Sequence, residues 1–398
     1  MSEQNNNHHS NKRILGLNRN IFFLGLTSFF NDFSNEMILS AFPAFFTSVL
    51  KSGAASLGLV EGIADGAANF LKIYSGNLSD KIHKRRIFIF LGYSMSVAVR
   101  PFYMFMGSIA GVLGLRVIDR IGKGVREAPR DVIISVSSSK WETGRSFGYH
   151  RAMDTAGGIL GPLAAFLILK YYPGEWGFFF MITFVIGLLA VATIFFVKEV
   201  VTSVTPHGRK VFSWKTFFSF SKSFRFYLLA VFILSMGSLP TALLLLKTTS
   251  VGLLIASIPL FYMIYGVSFA SFSYAAGRLS DRIGTGGVLV IGYLFLIVSY
   301  LGMALATSPL TLGLFFAVMG IFSACTDSSQ RAHVAKHVPE FERGTAYGLL
   351  NGSIGFGAMI SGIVGGLIWQ NWGAEYALVL SGVIVFVGLI MFGFSKRV

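Results

Sequence analysis

Apolar residues in this chain come in long runs, with polar residues gathered between the runs rather than alternating inside them. The runs fall at about 20–46, 55–76, 87–106, 108–133, 148–170 and 176–197, and again at 224–247, 253–276, 287–306, 308–328, 344–368 and 375–394. Each reaches the roughly 20 residues that an α-helix needs to cross a hydrocarbon layer. The pattern therefore predicts twelve transmembrane helices, six plus six. The widest polar gap holds Thr205, Pro206, His207 and Gly208 among scattered bases, which is the composition of a linker. It divides the chain into a tail (1–19), a first bundle (20–197), a linker (198–222) and a second bundle (223–398).

Composition points the same way. Of 398 residues, 54% are hydrophobic and 13% charged, and the mean hydropathy is +0.66. Soluble domains carry about 25% charged residues, so an ordinary soluble enzyme is excluded. A net charge of +15 would imply a nucleic-acid partner in a soluble protein. Here the bases sit mostly in segments on one side of the predicted spans, leaving Lys51, Lys170 and Lys247 on the other. That bias predicts both termini in the cytoplasm and the lipid bilayer, with no nucleic acid, as the surroundings. Cys325 is the single cysteine, so neither an intrachain disulfide nor a cysteine metal site can form. The polar start of the chain lacks a signal peptide's apolar core and cleavage site. Its His8-His9 pair reads as part of a polar tail, and neither metal nor cofactor is expected. Compact loops without a lipidation motif favour a bacterial inner membrane.

The halves repeat. Gly76-Asn-Leu-Ser-Asp80 recurs as Gly277-Arg-Leu-Ser-Asp281, and Glu142-Thr-Gly144 recurs as Glu342-Arg-Gly344, at spacings of 201 and 200 residues. Two similar bundles facing each other enclose a midplane cavity and can alternate access to it. The first of these segments, continuing to Arg85-Arg86, resembles the GxLxDRxGRR loop signature of the major facilitator superfamily. Its second copy, running through Arg282 and Gly284, resembles it more closely. In the fourth span Arg120, Gly124 and the intervening residues resemble the family's RxxxGxG signature. Gly157-Gly158, Gly161 and Pro162 in the fifth are similar to the glycine-proline pattern of its antiporter branch, with Ala164-Ala165 standing where paired glycines are usual. Asp32 with Pro43 resembles the first span of drug/proton antiporters. The resemblance implies an all-α major facilitator fold of twelve helices, and a conformational latch built from Gly76, Asp80, Arg85, Gly277, Asp281 and Arg282. It also implies a buried pair between Asp32 and Arg120.

Ionisable groups inside hydrocarbon cost roughly 2.5–3.5 kcal/mol each on insertion scales and therefore face a cavity or a partner. Most lie in the first half. Asp32 and Glu36 are four apart on the first span, and Glu61, Asp65, Asn69 and Lys72 share one face of the second. Arg116, Arg120, Lys123 and Glu127 share a face of the fourth, flanked by Asp119 and Arg126, while Arg100, Arg151 and Asp154 lie on the third and fifth. The second half offers Asp327 beside Thr326, Ser328, Ser329 and Gln330, and an aromatic wall of Tyr262, Tyr265, Phe269 and Tyr274.

We read Asp32, Glu36, Glu61 and Asp65 as proton-coupling candidates, Asp32 being the less available because of its arginine. The substrate-binding candidates are Lys72, Arg100, Arg116, Arg120, Lys123, Asp154, Asp327 and Tyr265. Acids and bases balance in the first bundle only while every acid is ionised, so a protonated carboxylate leaves it positive and favours an anionic small molecule. The expected function is transport by a monomer: proton-coupled export of an organic anion, a siderophore-like metabolite or a drug. Proton-linked import of an organic anion is the runner-up. A membrane enzyme is disfavoured because His83, His150, His333 and His337 lie in or beside predicted loops and no HExxH appears. A non-transporting receptor would bind without flux.

Overall fold

The structure is a computed structural model that describes residues 13–82, 84–139, 141–199, 218, 220–339 and 342–395, except for the side chains of 73–82 and 395. It opens with a hairpin where the sequence pattern reads as tail. β1 (Arg13–Ile14) pairs antiparallel with β2 (Leu17–Asn18), and Leu15 and Gly16 turn the chain with φ of 50° and 75°. Two consecutive positive φ values are what a tight two-residue hairpin turn requires. The Asn18 side chain then caps α1 (Arg19–Ser48) by accepting the N–H of Asn20.

Five further helices complete the first half: α2 (Ala54–Ile82), α3 (Arg85–Ala98, extended by a 3₁₀ turn Arg100–Phe105), α4 (Ile109–Ser137), α5 (Thr143–Tyr171) and α6 (Trp176–Ile194). The second half begins with α7 (Lys222–Met236). Gly237 to Pro240 break it before α8 (Thr241–Leu246), because Pro240 has no N–H to continue the ladder. Together α7, α8 and the 3₁₀ turn that follows make one span, Lys222–Val251. Then come α9 (Ile258–Ile283), α10 (Thr285–Leu305), α11 (Pro309–His337), α12 (Arg343–Trp372) and α13 (Ala374–Ser395). The expected linker falls almost entirely outside the described residues, as does the His8-His9 pair.

Twelve spans result. Among the described residues nine qualify on length and apolarity alone. The others, α1, α2 and α4, are long enough at 29 or 30 residues but carry the charges. α4 and α11 also run several residues beyond the apolar stretches that predicted them, since a helix does not stop where the hydrocarbon does. The repeat is visible in the caps. Ser108 and Ser308 each accept a first-turn N–H of α4 and α11, and Glu142 and Glu342 each precede the first residue of α5 and α12.

Within the first half α1 packs on α5 and α6, and α4 on α2 and α3; in the second, α11 packs on α9 and α10, and α7 on α12 and α13. The halves meet mainly through α2 against α12 and α5 against α9. At the end far from the termini, α2 and α12 touch backbone to backbone: a Cβ built on Gly362 would sit 2.5 Å from the Gly58 carbonyl oxygen. Nearer the terminus-bearing end the halves part. Nothing lies within 4 Å of a Cβ built on Gly148 or Gly277, and Tyr274 is 77% exposed.

Candidate functional site

Two different ionic environments emerge. The first lies within the first half and is closed around Glu61 and Arg116. α2 and α4 run in the same direction, and Glu61, Asp65 and Lys72 meet Arg116, Arg120 and Glu127, each partner 55 positions further along the chain. Arg116 grips Glu61 bidentately, Nε to Oε1 at 2.7 Å and Nη2 to Oε2 at 2.9 Å. It also reaches Asp119 at 3.3 Å and lies over the Phe42 ring. Arg120 lies 3.3 Å from Asp65 and 3.6 Å from Glu61. Lys72 and Lys123 share Glu127 at 3.0 and 3.9 Å. Arg116 is 1% exposed and Glu61 2%, so neither meets a solute in this state.

The expected pair of Asp32 with Arg120 does not form: Arg120 turns to α2, and Asp32 instead accepts from Asn31 at 3.0 Å. Arg100 is equally enclosed. It donates to Ser34 at 2.6 Å, Asn31 at 3.3 Å and the Thr183 carbonyl at 3.4 Å. Arg126 donates to Ser96 and the Gly92 carbonyl beneath the Tyr93 ring. Of the sequence candidates, Glu61, Asp65, Arg100, Arg116, Arg120 and Lys123 therefore stand apart from the cavity described next. The physical reason is that each has found a partner within its own bundle, which a transfer cost of several kcal/mol favours.

The second environment lies between the halves and has two lobes. One, of about 180 Å³, is lined by Asp32 and Glu36 of α1, Asp154 and Gly158 of α5, and Tyr262, Tyr265 and Phe269 of α9. The other, of about 340 Å³, is lined by Asn69 and Lys72 of α2, Asp327 and Arg331 of α11, and Asn351 of α12, among others. Arg151, Tyr265 and Phe269 belong to both. Arg151 bonds Asp327 across the halves and sits over Phe269, while the Tyr265 hydroxyl donates to Ser323 at 3.0 Å.

The lobes differ in compensation. In the larger one Lys72 is taken by Glu127 and Arg151 by Asp327. In the smaller one Glu36 accepts from Asn35 at 3.1 Å through Oε1, while among the described residues Glu36 Oε2 and Asp154 Oδ1 are buried with no hydrogen-bond partner. Asp154 Oδ2 lies 3.5 Å from Nδ1 of His150, whose Nε2 also lacks a partner. His150 is eight positions into α5 and buried, and His333 is inside α11, which corrects their placement in or beside loops. Of the latch residues, Asp281 and Arg282 are exposed at the end of α9, Gly277 stands clear, and Arg85 is buried at the start of α3. The side chain of Asp80 falls outside the description, and Gly76 lies within α2. Among the described residues no cluster of His, Cys, Asp and Glu fits a metal ion. Arg151, Arg331 and His150 are the basic lining or adjoining groups that the sequence candidates omitted. Arg151 was legible as an intramembrane charge one helical turn from Asp154.

Two six-helix halves around a cavity lined by ionisable and aromatic side chains have the architecture of a membrane transporter. The profile of the Major Facilitator Superfamily matches residues 24–317 and 248–397, and the chain belongs to that family. It is 34% identical over 360 residues, 89% of both chains, to an uncharacterized MFS-type transporter of Methanocaldococcus jannaschii. It is 25% identical over 386 residues, 94% of this chain and 93% of the other, to the multi-drug resistance efflux pump PmrA homolog of Lactococcus lactis. The crystal structure of the nucleoside transporter NupG shares the fold at a TM-score of 0.74 and 16% identity, covering 95% of this chain and 99% of that one. The protein is thus an integral, multi-pass membrane transporter of small molecules and not an enzyme.

Proposed function

We propose that this transporter exports a drug-like amphipathic solute in exchange for protons, from a bacterial inner membrane, as a monomer with both termini in the cytoplasm. The observation that carries the reading is the small lobe. Three carboxylates, Asp32, Glu36 and Asp154, face an aromatic wall with two of their oxygens unpartnered. Such a surface takes either protons or the positive end of an aromatic solute, and the same oxygens cannot hold both. Mutual exclusion at one site is the condition for exchange: proton entry expels the solute, and solute loading requires proton release. A proton crossing 100 mV supplies about 2.3 kcal/mol for this. The similarity to an efflux pump and the Gly157 to Pro162 pattern of α5 agree with export. In this scheme Asp281 and Arg282, with Gly76 and Asp80, latch the terminus-bearing end when it closes.

Arg331 favours a second reading. Among the described residues it lines the large lobe without an acidic partner, and with Lys72 and Arg151 it would receive an organic anion. Protonating the small lobe would then strengthen anion binding, so proton and anion would travel together as in import.

Proteoliposomes distinguish the two. Ethidium flux accelerated by an opposed pH gradient and abolished in Glu36→Gln supports exchange. Carboxyfluorescein flux accelerated by a parallel gradient, with ethidium unmoved, replaces it by anion symport.

A further inference from the structure

His150 lines neither lobe, yet it is an ionisable ring buried inside a span, where such a group is expensive to keep. It stands four positions before Asp154 on α5, one helical turn nearer the terminus-bearing end, where Arg13 pairs with Glu142 just ahead of that helix. Its Nδ1 lies 3.5 Å from Asp154 Oδ2. Among the described residues its Nε2 is buried and unpartnered, as is Asp154 Oδ1.

The repeat shows that packing does not ask for this ring. Two hundred positions further on, Leu350 stands in the place of His150 and Ile354 in the place of Asp154. Leu350 is buried within an apolar cluster. A hydrocarbon side chain therefore satisfies this place in the fold, and the imidazole answers to something else.

The charges acting on the ring are Arg130 and Asp131 of α4 and Arg151 beside it on α5. Arg130 holds Asp131, Nη2 to Oδ1 at 3.1 Å, and the Asp131 side chain is 45% exposed. On the lobe side, α1 presents Asp32 and Glu36 and α9 presents Tyr262 and Tyr265. Asp154 at the cavity, His150 behind it and the half-exposed Asp131 thus form a series of proton-carrying groups within the first half.

We propose that His150 relays the proton between Asp154 and Asp131, giving it a way out through the first half while the solute occupies the lobe. The relay rests on the exchange reading above, in which proton and solute cannot share the lobe's carboxylates. In the release step the Asp154 O–H bond breaks and the proton passes to Nδ1. The imidazolium gives up its Nε2 proton to the Asp131 carboxylate, directly or through water, and the neutral ring regains its first tautomer before the next cycle. Imidazole suits this because its two nitrogens can take a proton on one side and lose one on the other near neutral pH.

Stopped-flow proton release tests the relay in the intact protein. Ethidium is mixed with transporter in maltoside detergent and weak buffer, a pH indicator follows the protons, and fluorescence titration gives the affinity. His150→Gln, and His150→Leu with the side chain the repeat carries, are expected to release as many protons per bound ethidium as wild type with unchanged affinity, but about tenfold more slowly or beyond. Asp131→Asn, at a half-exposed position, tests the exit separately should the ring variants fail to fold, and is expected to slow release several-fold. Release as fast as wild type in every folded variant overturns the relay and leaves the exchange reading standing. A change confined to affinity or to the unfolding midpoint makes His150 a packing group and overturns the relay as well. Wild type that binds ethidium without releasing protons overturns the exchange reading, and the relay with it.

Discussion

The ladder between α2 and α4 and the small lobe between α1, α5 and α9 use the same acidic side chains to opposite ends. In the ladder both oxygens of Glu61 are held by Arg116, and almost no surface of either reaches solvent. In the lobe Glu36 and Asp154 each keep an oxygen without a partner. An intramembrane charge therefore does not by itself mark a transport site. A charge whose partners are complete holds the bundle together, and in the exchange proposed above it is a charge left incomplete beside a cavity that takes the proton.

The largest expected effect comes from breaking the ladder. Arg116→Met leaves buried Glu61 with only the longer contact to Arg120 at 3.6 Å, and its unfolding midpoint in detergent should fall by the equivalent of up to ~3–5 kcal/mol. Adding Glu61→Gln should recover most of that loss, because removing both charges also removes their desolvation penalty. A double variant as unstable as the single one would contradict the ladder's role. Next comes Glu36→Gln in the lobe. It should abolish pH-driven flux while keeping the wild-type unfolding midpoint, since no ion pair is lost; unchanged coupling in a reconstituted assay would remove Glu36 from the proton path.

Gly362→Val probes the closed end that both regions depend on. Its side chain meets the Gly58 carbonyl, and overpacking of this kind costs about 1–3 kcal/mol. Spin labels placed across that end on α2 and α12 should report a longer distance, with the population shifted away from the form described. The smallest effect belongs to Arg13→Ala. It removes an exposed 3.2 Å pair with Glu142 and should change stability by less than about 1 kcal/mol.

Most of the fold was legible in the sequence because a bilayer imposes a single length on every apolar run, and a duplicated pattern identifies two bundles. The hairpin at 13–18 was not, since its two-residue strands are too short to show a period. The faces carrying Glu61, Asp65 and Lys72 and carrying Arg116, Arg120 and Glu127 were read correctly from helical spacing. That they meet was also written there: both sets step by four and then seven residues, with every sign reversed. A face taken singly shows only unpaired ions, and it takes both faces together to show that each supplies the other's partners. The lobe depends on contacts between α1, α5 and α9, which no local spacing encodes. Tyr262, Tyr265 and Phe269 nevertheless announced their shared face by steps of three and four.

Carbodiimide labelling of carboxyl groups in the native membrane, read by peptide mass spectrometry, compares the two regions in one sample. The account predicts modification of Glu36 or Asp154, suppressed by transported solute, with Glu61 unmodified. Labelling of Glu61 as readily as Glu36 would contradict it.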